Sequence, residues 1–353
     1  MRLIHFFALS LLLVSCDPFG TRLDEDDVRY YSANEGEPDS TSLTPPLRVM
    51  TWNIKFGGGR IDFFFDCHGD RVVMDSAEVT TNLESILSFI EETRPHILFV
   101  QEIDVDSKRS AFIDQVEWLL ERTHFNYAVY ASQWRSTHIP SDGLGRMNSG
   151  NAIFSVTPLY DARRVSLPLI GEQNFLVRYF YLRRNLLHAR TLVNGDTLHL
   201  LNTHLSAYAS DGTKKKQLDV VFGHMDSLGR HDKPFVAGGD YNTLPPRSEK
   251  TSDFPDSACE GEDFQADDHS RETGWMLPFY QHFNPAVPLK DYEADNAPYY
   301  THTTDKNGFW NRKLDYIFSN LPLSGGITYQ SKENGGFPTM HLSDHCAVEA
   351  KIN

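Results

Sequence analysis

Strand-like and helix-like stretches alternate from Arg48 to the end of the chain, hairpin signals interrupt the alternation, and no repeat of fixed period is present. Together these predict an α/β sandwich with mixed sheets, not a strictly parallel barrel. Arg48–Ile54 (RVMTWNI) reads as the first strand. Over Thr80–Thr93, Leu83, Ile86, Leu87 and Ile90 recur at helical spacing, and Pro95 stops the helix. His96–Val100 is a short apolar strand, and Arg109–Thr123 reads as a helix with Phe112, Ile113, Val116, Leu119 and Leu120 on one side. Strands are expected at Tyr127–Ala131, Ala152–Val156, Leu176–Leu182 and Ala189–Val193. Asn194-Gly195 suits a two-residue hairpin and returns the chain into Thr197–Thr203. Lys214–Leu228 is a helix, and Lys214-Lys215-Lys216 reads most simply as its polar start. Phe235–Gly238, Leu314–Phe318 and Cys346–Ile352 complete the strands. Residues 243–311 form a long insert with little periodicity and many aromatics, a pattern that is usually functional or disordered.

At 353 residues and 40% hydrophobic the chain can bury a large core, which excludes a disordered protein. The net charge of −15 argues against a basic groove for long nucleic acid. It leaves room for a small phosphate site, because a bound cation inverts the local electrostatics. Four cysteines are too few for a disulfide framework. Cys67 and Cys259 lie in irregular polar stretches and could pair in an oxidising compartment. Cys346 reads as a buried thiol.

The first residues read as an address. Arg2 precedes a largely apolar run from Leu3 to Val14, shorter than the roughly 20 residues of a membrane span. Leu13-Val14-Ser15-Cys16 is similar to a bacterial lipobox, so residues 1–16 are expected to be a lipoprotein signal with Cys16 lipidated. The plainer alternative is ordinary cleavage near Ser15, leaving Cys16 a simple thiol. Residues 17–47 hold eight acidic residues against two basic, with several Pro, Gly and Ser, and read as a flexible acidic tether before a domain at 48–353. The protein is expected in the cell envelope, exported and held to a membrane by lipid, as a monomer with no protein partner implied.

The strand candidates end in polar residues that strand ends do not ordinarily favour: Asn53, Gln101-Glu102, Asn202-Thr203-His204 and Asp240-Tyr241-Asn242. Asp315 lies within another, and Ser343-Asp344-His345 precedes the last. Ligands of α/β folds gather at strand ends. Glu102, Asp240 and Asp344 would be costly to bury together without a cation, and oxygen donors without thiolate favour Mg²⁺, Mn²⁺ or Ca²⁺.

In order, T-W-N-I, V-Q-E, N-T-H-L, G-D-Y-N, L-D-Y-I and S-D-H make residues 48–353 resemble the endonuclease/exonuclease/phosphatase superfamily, the DNase-I-like hydrolases. The resemblance implies a four-layer α/β sandwich with two packed mixed β-sheets, and metal-dependent phosphoester hydrolysis. It implies Glu102 as principal metal ligand, with Asn53 beside it, and Asp344 either at the metal or orienting a group that neighbours it. Asp240 would orient or deprotonate the attacking water, and Asn242 would hold a phosphoryl oxygen. His345, oriented by Asp315, would bind phosphate, while His204 would stabilise the transition state or protonate the leaving oxygen. Arg184, with Arg183 nearly as good a candidate, stands where related hydrolases place a phosphate-binding arginine, and reads equally well as a solvated charge. Asn151 either lines the site or shapes a turn. Tyr241 stands where Phe is common, and Cys346 where a small or apolar residue is usual; neither change removes a reacting group.

A lipid-anchored hydrolase sits beside phospholipid and sphingolipid head groups, which makes such an ester a reasonable substrate. Residues 101–110 and 141–151 also look like hydrolase domains linked to lipid-anchor remodelling. Trp275, Phe279, Tyr280, Tyr299, Tyr300, Phe309 and Trp310 would either grip lipid or simply pack the insert. The alternatives are an exported nuclease acting on DNA or RNA, and an inactive binding module.

Overall fold

The computed structural model describes residues 17–33, 42–66, 69–257, 268–330 and 339–353. The signal segment, Cys16, Cys67 and Cys259 lie outside the described residues. The chain runs through β1 (Val28–Ser32), β2 (Leu47–Asn53), α1 (Ser76–Thr93), β3 (Ile97–Asp104) and α2 (Gln115–Leu120). It continues through β4 (Tyr127–Ile139), β5 (Gly145–Ser155), β6 (Tyr160–Ser166), α3 (Phe175–Phe180), β7 (Asn185–Val193) and β8 (Asp196–His204). After α4 (Thr213–Arg230) and β9 (Phe235–Asp240) come α5 (Leu277–His282), β10 (Asn284–Pro285), α6 (Leu289–Ala294), β11 (Asp315–Ser319), β12 (Leu323–Thr328) and β13 (Val348–Ile352).

Among the described residues the strands form two mixed sheets. The seven-stranded sheet has the order β1-β4-β5-β3-β2-β13-β12, and the six-stranded sheet β10-β11-β9-β8-β7-β6. Each holds one parallel pair, β2 with β3 and β8 with β9. Period-2 alternation explains the layering. Val49, Ile97, Phe99, Leu187, Leu200 and Val236 meet between the sheets. Met50, Trp52, Leu98 and Val100 turn outward onto α1 through Leu83, Ile86, Phe89 and Ile90. On the far side Leu201, Phe235 and Phe318 pack under Leu218, Val221, Met225 and Phe279. The result is the expected four-layer α/β sandwich.

Four sequence expectations change. The tether is not wholly flexible: Val28–Ser32 pairs antiparallel with β4, and Arg135 donates to the Gly20 and Arg22 carbonyls and to Asp27. Its acidic composition hid an edge strand, whose outer face needs no apolar residues. Residues 176–182 do not form a strand; the Asn174 side chain caps the Val177 N–H and starts the short helix α3. The helix expected from Arg109 begins only at Gln115, because Ala111 and Phe112 adopt positive φ and Asp114 supplies the cap. The polar start of α4 forms, but it is not polar surface throughout, since Lys214 is fully buried. The hairpin turn at Asn194-Gly195 forms as expected, with φ of 51° and 87°.

The insert carries α5, β10 and α6 and is largely packed. Phe279 and Trp310 are buried, and Trp275 and Tyr280 pack against the core beneath α4, so these aromatics fill the insert and do not form a rim. Phe309 is exposed. Among the described residues, no helix is long and apolar enough to cross a membrane.

Candidate active site

Strand direction and register assemble the site. Both parallel pairs end at one edge of the sandwich, where His204 pairs with Asp240 and Asp240 with Asp315 across neighbouring strands. The sheets approach closely here. A Cβ on Gly238 would lie 2.4 Å from the Phe99 ring, and one on Gly239 would lie 2.1 Å from the Thr203 carbonyl oxygen. Gln101 and Asn202 lock the sheets beneath the site: Gln101 donates to Asn202 at 2.7 Å, and Asn202 donates to the Val100 and Ala152 carbonyls.

A cleft opens above this edge, lined by Glu102, Asp240, Asn242, His204, His345, Asp344 and Arg184 among others. Asp240 lies at its floor, with His204 Nε2 at 3.4 Å and His345 Nε2 at 3.6 Å from its Oδ2. Burial pushes the Asp240 carboxyl up, opposed by the His345 charge and helped by Asp315, to about 7. His345 Nδ1 lies 2.8 Å from Asp315 Oδ2. Burial disfavours its charge, but Asp315 and Asp240 outweigh burial and raise the imidazole to about 10. His345 is therefore an imidazolium whose Nε2–H faces the cleft.

His204 is its opposite. Burial, then the Arg184 and His345 charges, hold it well below the ordinary histidine range. Gln133 Nε2 lies 3.3 Å from His204 Nδ1, while Gln133 Oε1 accepts from Arg184 Nη1 at 3.1 Å. The Arg184 contact fixes the Gln133 amide, so Nδ1 of His204 accepts and its Nε2 carries the proton. Gln133 was not legible in the sequence, since it lies in mid-strand; it sits where the β4–β5 register shifts.

Glu102 also sits at a register shift, in β3, with φ of 55°. The bulge turns its side chain into the cleft, partly exposed. Asn53 donates to Glu102 and to Asp240, both at 3.2 Å, while its Oδ1 accepts from the Lys55 N–H. Asn53 thus orients both carboxylates through its amide N–H groups. Asp344 is also differently engaged: Lys55 Nζ lies 3.1 Å from it and 2.7 Å from Asp66, an ion pair that the sequence did not suggest. Lys55 depresses the Asp344 carboxyl despite its burial.

Glu102 is the carboxylate with a free side toward the cleft that could hold a divalent cation. Among the described residues its carboxylate has no ammonium or guanidinium partner at ion-pair distance, and Asp240 adds a second hard oxygen through the shared Asn53 amide. The tightest cluster of potential ligand atoms is Asp240, Asp315 and His345. Its short His345–Asp315 contact uses the Nδ1 proton, which makes this cluster a proton-holding line and not a metal cage.

Asn242 has φ of 49°, donates its N–H to Asp240 at 2.9 Å and its amide to the Leu205 carbonyl, and lines the cleft. Buried Lys214 donates to the Asn242 carbonyl at 2.7 Å and pairs with Glu272 of the insert. Arg184 is buried in the cleft wall, whereas the Arg183 carbonyl accepts from Arg164 outside it. Asn151 lies between the sheets, donating to Asn185 at 3.2 Å, and does not line the cleft. Tyr241 is buried behind the site, and Cys346 is a buried free thiol.

Known proteins agree with this arrangement at the level of fold and family. An endonuclease/exonuclease/phosphatase from Beutenbergia cavernae DSM 12333 superposes with a TM-score of 0.56 at 20% identity, covering 87% of this chain and 72% of that one. The human Nocturnin catalytic domain with bound sulfate anion gives 0.55 at 17% identity, covering 95% and 99%. A humanized D. rerio TDP2 gives 0.51 at 15% identity, covering 87% and 98%. At such identities the likeness is one of fold. No curated protein matches the chain. The model of the Endonuclease/Exonuclease/phosphatase family matches residues 48–345, which spans most of the chain and both sheets, and the chain belongs to that family of phosphoester hydrolases.

Proposed function

We propose that the protein is a divalent-metal-dependent phosphodiesterase acting on a phospholipid or sphingolipid head-group ester, exported and lipid-anchored through Cys16. The observation that carries the hydrolytic reading is Asp240, buried between a neutral His204 and a charged His345, with Glu102 beside it. A cation at Glu102 would supply charge to the phosphoryl oxygens. Asp240 Oδ2 accepts the proton of the attacking water, for which a carboxyl poised near 7 is suited. The Nε2–H groups of His345 and His204 donate to the oxygens that gain charge in the transition state. Arg184 adds a guanidinium from the cleft wall, and Asn242 holds Asp240 in orientation through its backbone N–H.

The lipid part of the reading is supported by the Leu13-Val14-Ser15-Cys16 sequence. The aromatic and aliphatic wall of the cleft, which includes Phe56, Phe65, Trp134, Ile170, Tyr181 and Leu182, supports it too. The purified protein should be tested on sphingomyelin, glycerophospholipids, plasmid DNA, RNA and an aryl phosphodiester, with Mg²⁺, Mn²⁺, Ca²⁺ or chelator. Lipid cleavage that needs metal and is lost in His204→Ala is expected. Cleavage of DNA or RNA alone would favour the nuclease alternative, and activity surviving chelator or His204→Ala would overturn the mechanism.

A further inference from the structure

Helix α3 buries none of its residues. Phe175 is 72% exposed, Leu176 67% and Val177 45%, three apolar side chains exposed around the first turn of the helix on an acidic protein. Leu169 is exposed close by in the same segment. The helix runs straight into the cleft wall, since Tyr181 and Leu182 line the cleft, as do Ile170 and Tyr208.

A further observation says what covers this face: the N-terminal segment is pinned to it. The Tyr179 hydroxyl donates to Asp17, Phe19 packs edge-on against Phe180 at 5.1 Å between ring centres, and the Phe19 carbonyl accepts from Thr137 in β4. Asp17 directly follows Cys16 and the apolar run Leu3–Val14, so the residue next to Cys16 in the chain is held at α3.

We propose that α3, with Leu169, is a membrane-docking surface that seats the cleft mouth on the bilayer that holds a lipid on Cys16. Phe175, Leu176 and Val177 enter the boundary between head groups and acyl chains, and the attachment at Cys16 fixes the same face downward. A head-group phosphoester then reaches Asp240 along the Tyr181–Leu182 wall without leaving the bilayer surface. The substrate part rests on the phosphodiesterase reading above, and the docking part on the lipid attachment at Cys16 proposed with it.

The full chain carries the test, reconstituted in vesicles of phosphatidylglycerol and phosphatidylethanolamine with brominated acyl chains. Fluorescence of Leu176→Trp should be quenched at least about twofold more than that of Val220→Trp, an exposed position on α4. Equal quenching at the two positions would overturn the proposal. So would an unquenched Leu176→Trp in a dimer that Phe175→Asp dissociates, since that would give the face to a second copy of the chain. In the Phe175→Asp/Leu176→Asp/Val177→Asp variant, hydrolysis of a vesicle-borne phosphodiester should fall at least about tenfold while a soluble aryl phosphodiester is cleaved as before. Quenching needs no turnover. Quenching without hydrolysis of either substrate would therefore sustain the docking surface and refute the phosphodiesterase reading, and aryl phosphodiester cleavage without quenching would do the reverse.

Discussion

Glu102 and Gln133 reach the cleft for the same reason: each sits at a register shift in a strand of the seven-stranded sheet. A bulge re-aims one side chain without disturbing the ladder on either side. Glu102 was legible because carboxylates rarely end a buried apolar strand, whereas Gln133, in SQW, carries no such mark. Its role rests on two contacts, one to Arg184 and one to His204 Nδ1. Gln133→Leu should therefore release the His204 tautomer. The expected outcome is a fall in kcat of about 10²-fold for an aryl phosphodiester, with KM changed far less, measured by steady-state kinetics. Retained kcat would show that His204 needs no such orientation.

At the scale of elements, the strands that build the site were legible because each carries a strong apolar run. The edge strands β1, β6 and β12 were not, since half-exposed strands lack that run. Helix α3 was misread because an apolar stretch of this length suits strand and helix alike, and the Asn174 cap decides. The Gly238-Gly239 pair before Asp240 has a packing reason. Gly238→Ala would drive a methyl into the Phe99 ring and force apart the sheets that set the His204–Asp240 register. A loss of about 1–3 kcal/mol in urea denaturation is expected, partly restored by Phe99→Leu in the double variant.

At the scale of the molecule, the packing of α4 on the six-stranded sheet closes a set of histidines remote from the reaction. His188 Nε2 lies 2.8 Å from His199 Nδ1, and His224 Nε2 lies 3.2 Å from His188 Nδ1. Burial, then the charges of His224 and His199, lowers His188 to about 2. Burial and Arg190 lower His199 to about 4, and burial and Arg163 depress His224. The unfolded chain takes up protons that the folded protein excludes. This part of the stability is complete above the ordinary histidine value of 6.5 and is lost as pH falls from there toward the folded values. For His188 alone the slope should be about 1.4 kcal/mol per pH unit in that window. His188→Leu should flatten the pH dependence of urea stability between about pH 6 and 4; an unchanged slope would show that the set is not closed to protons.

The sequence by itself determined the four-layer sandwich, the family and most of the polar residues gathered at the cleft. Its motifs place Glu102, His204, Asp240, Asp315 and His345 at strand ends and starts, and strand order with register brings strand ends together. Only the tertiary structure decided how those groups are charged and aimed. His204 and His345 are the same residue type at opposite extremes of protonation, because one faces Gln133 and Arg184 and the other Asp315 and Asp240. Lys55 claiming Asp344, Asn53 turning its amide to the carboxylates, and Lys214 passing under the sheet to hold Asn242 are decisions of the same kind. Each depends on the partner a buried polar group finds across the fold, and in a low-dielectric interior that partner, often a hundred or more residues away in the chain, sets the charge and direction of the group.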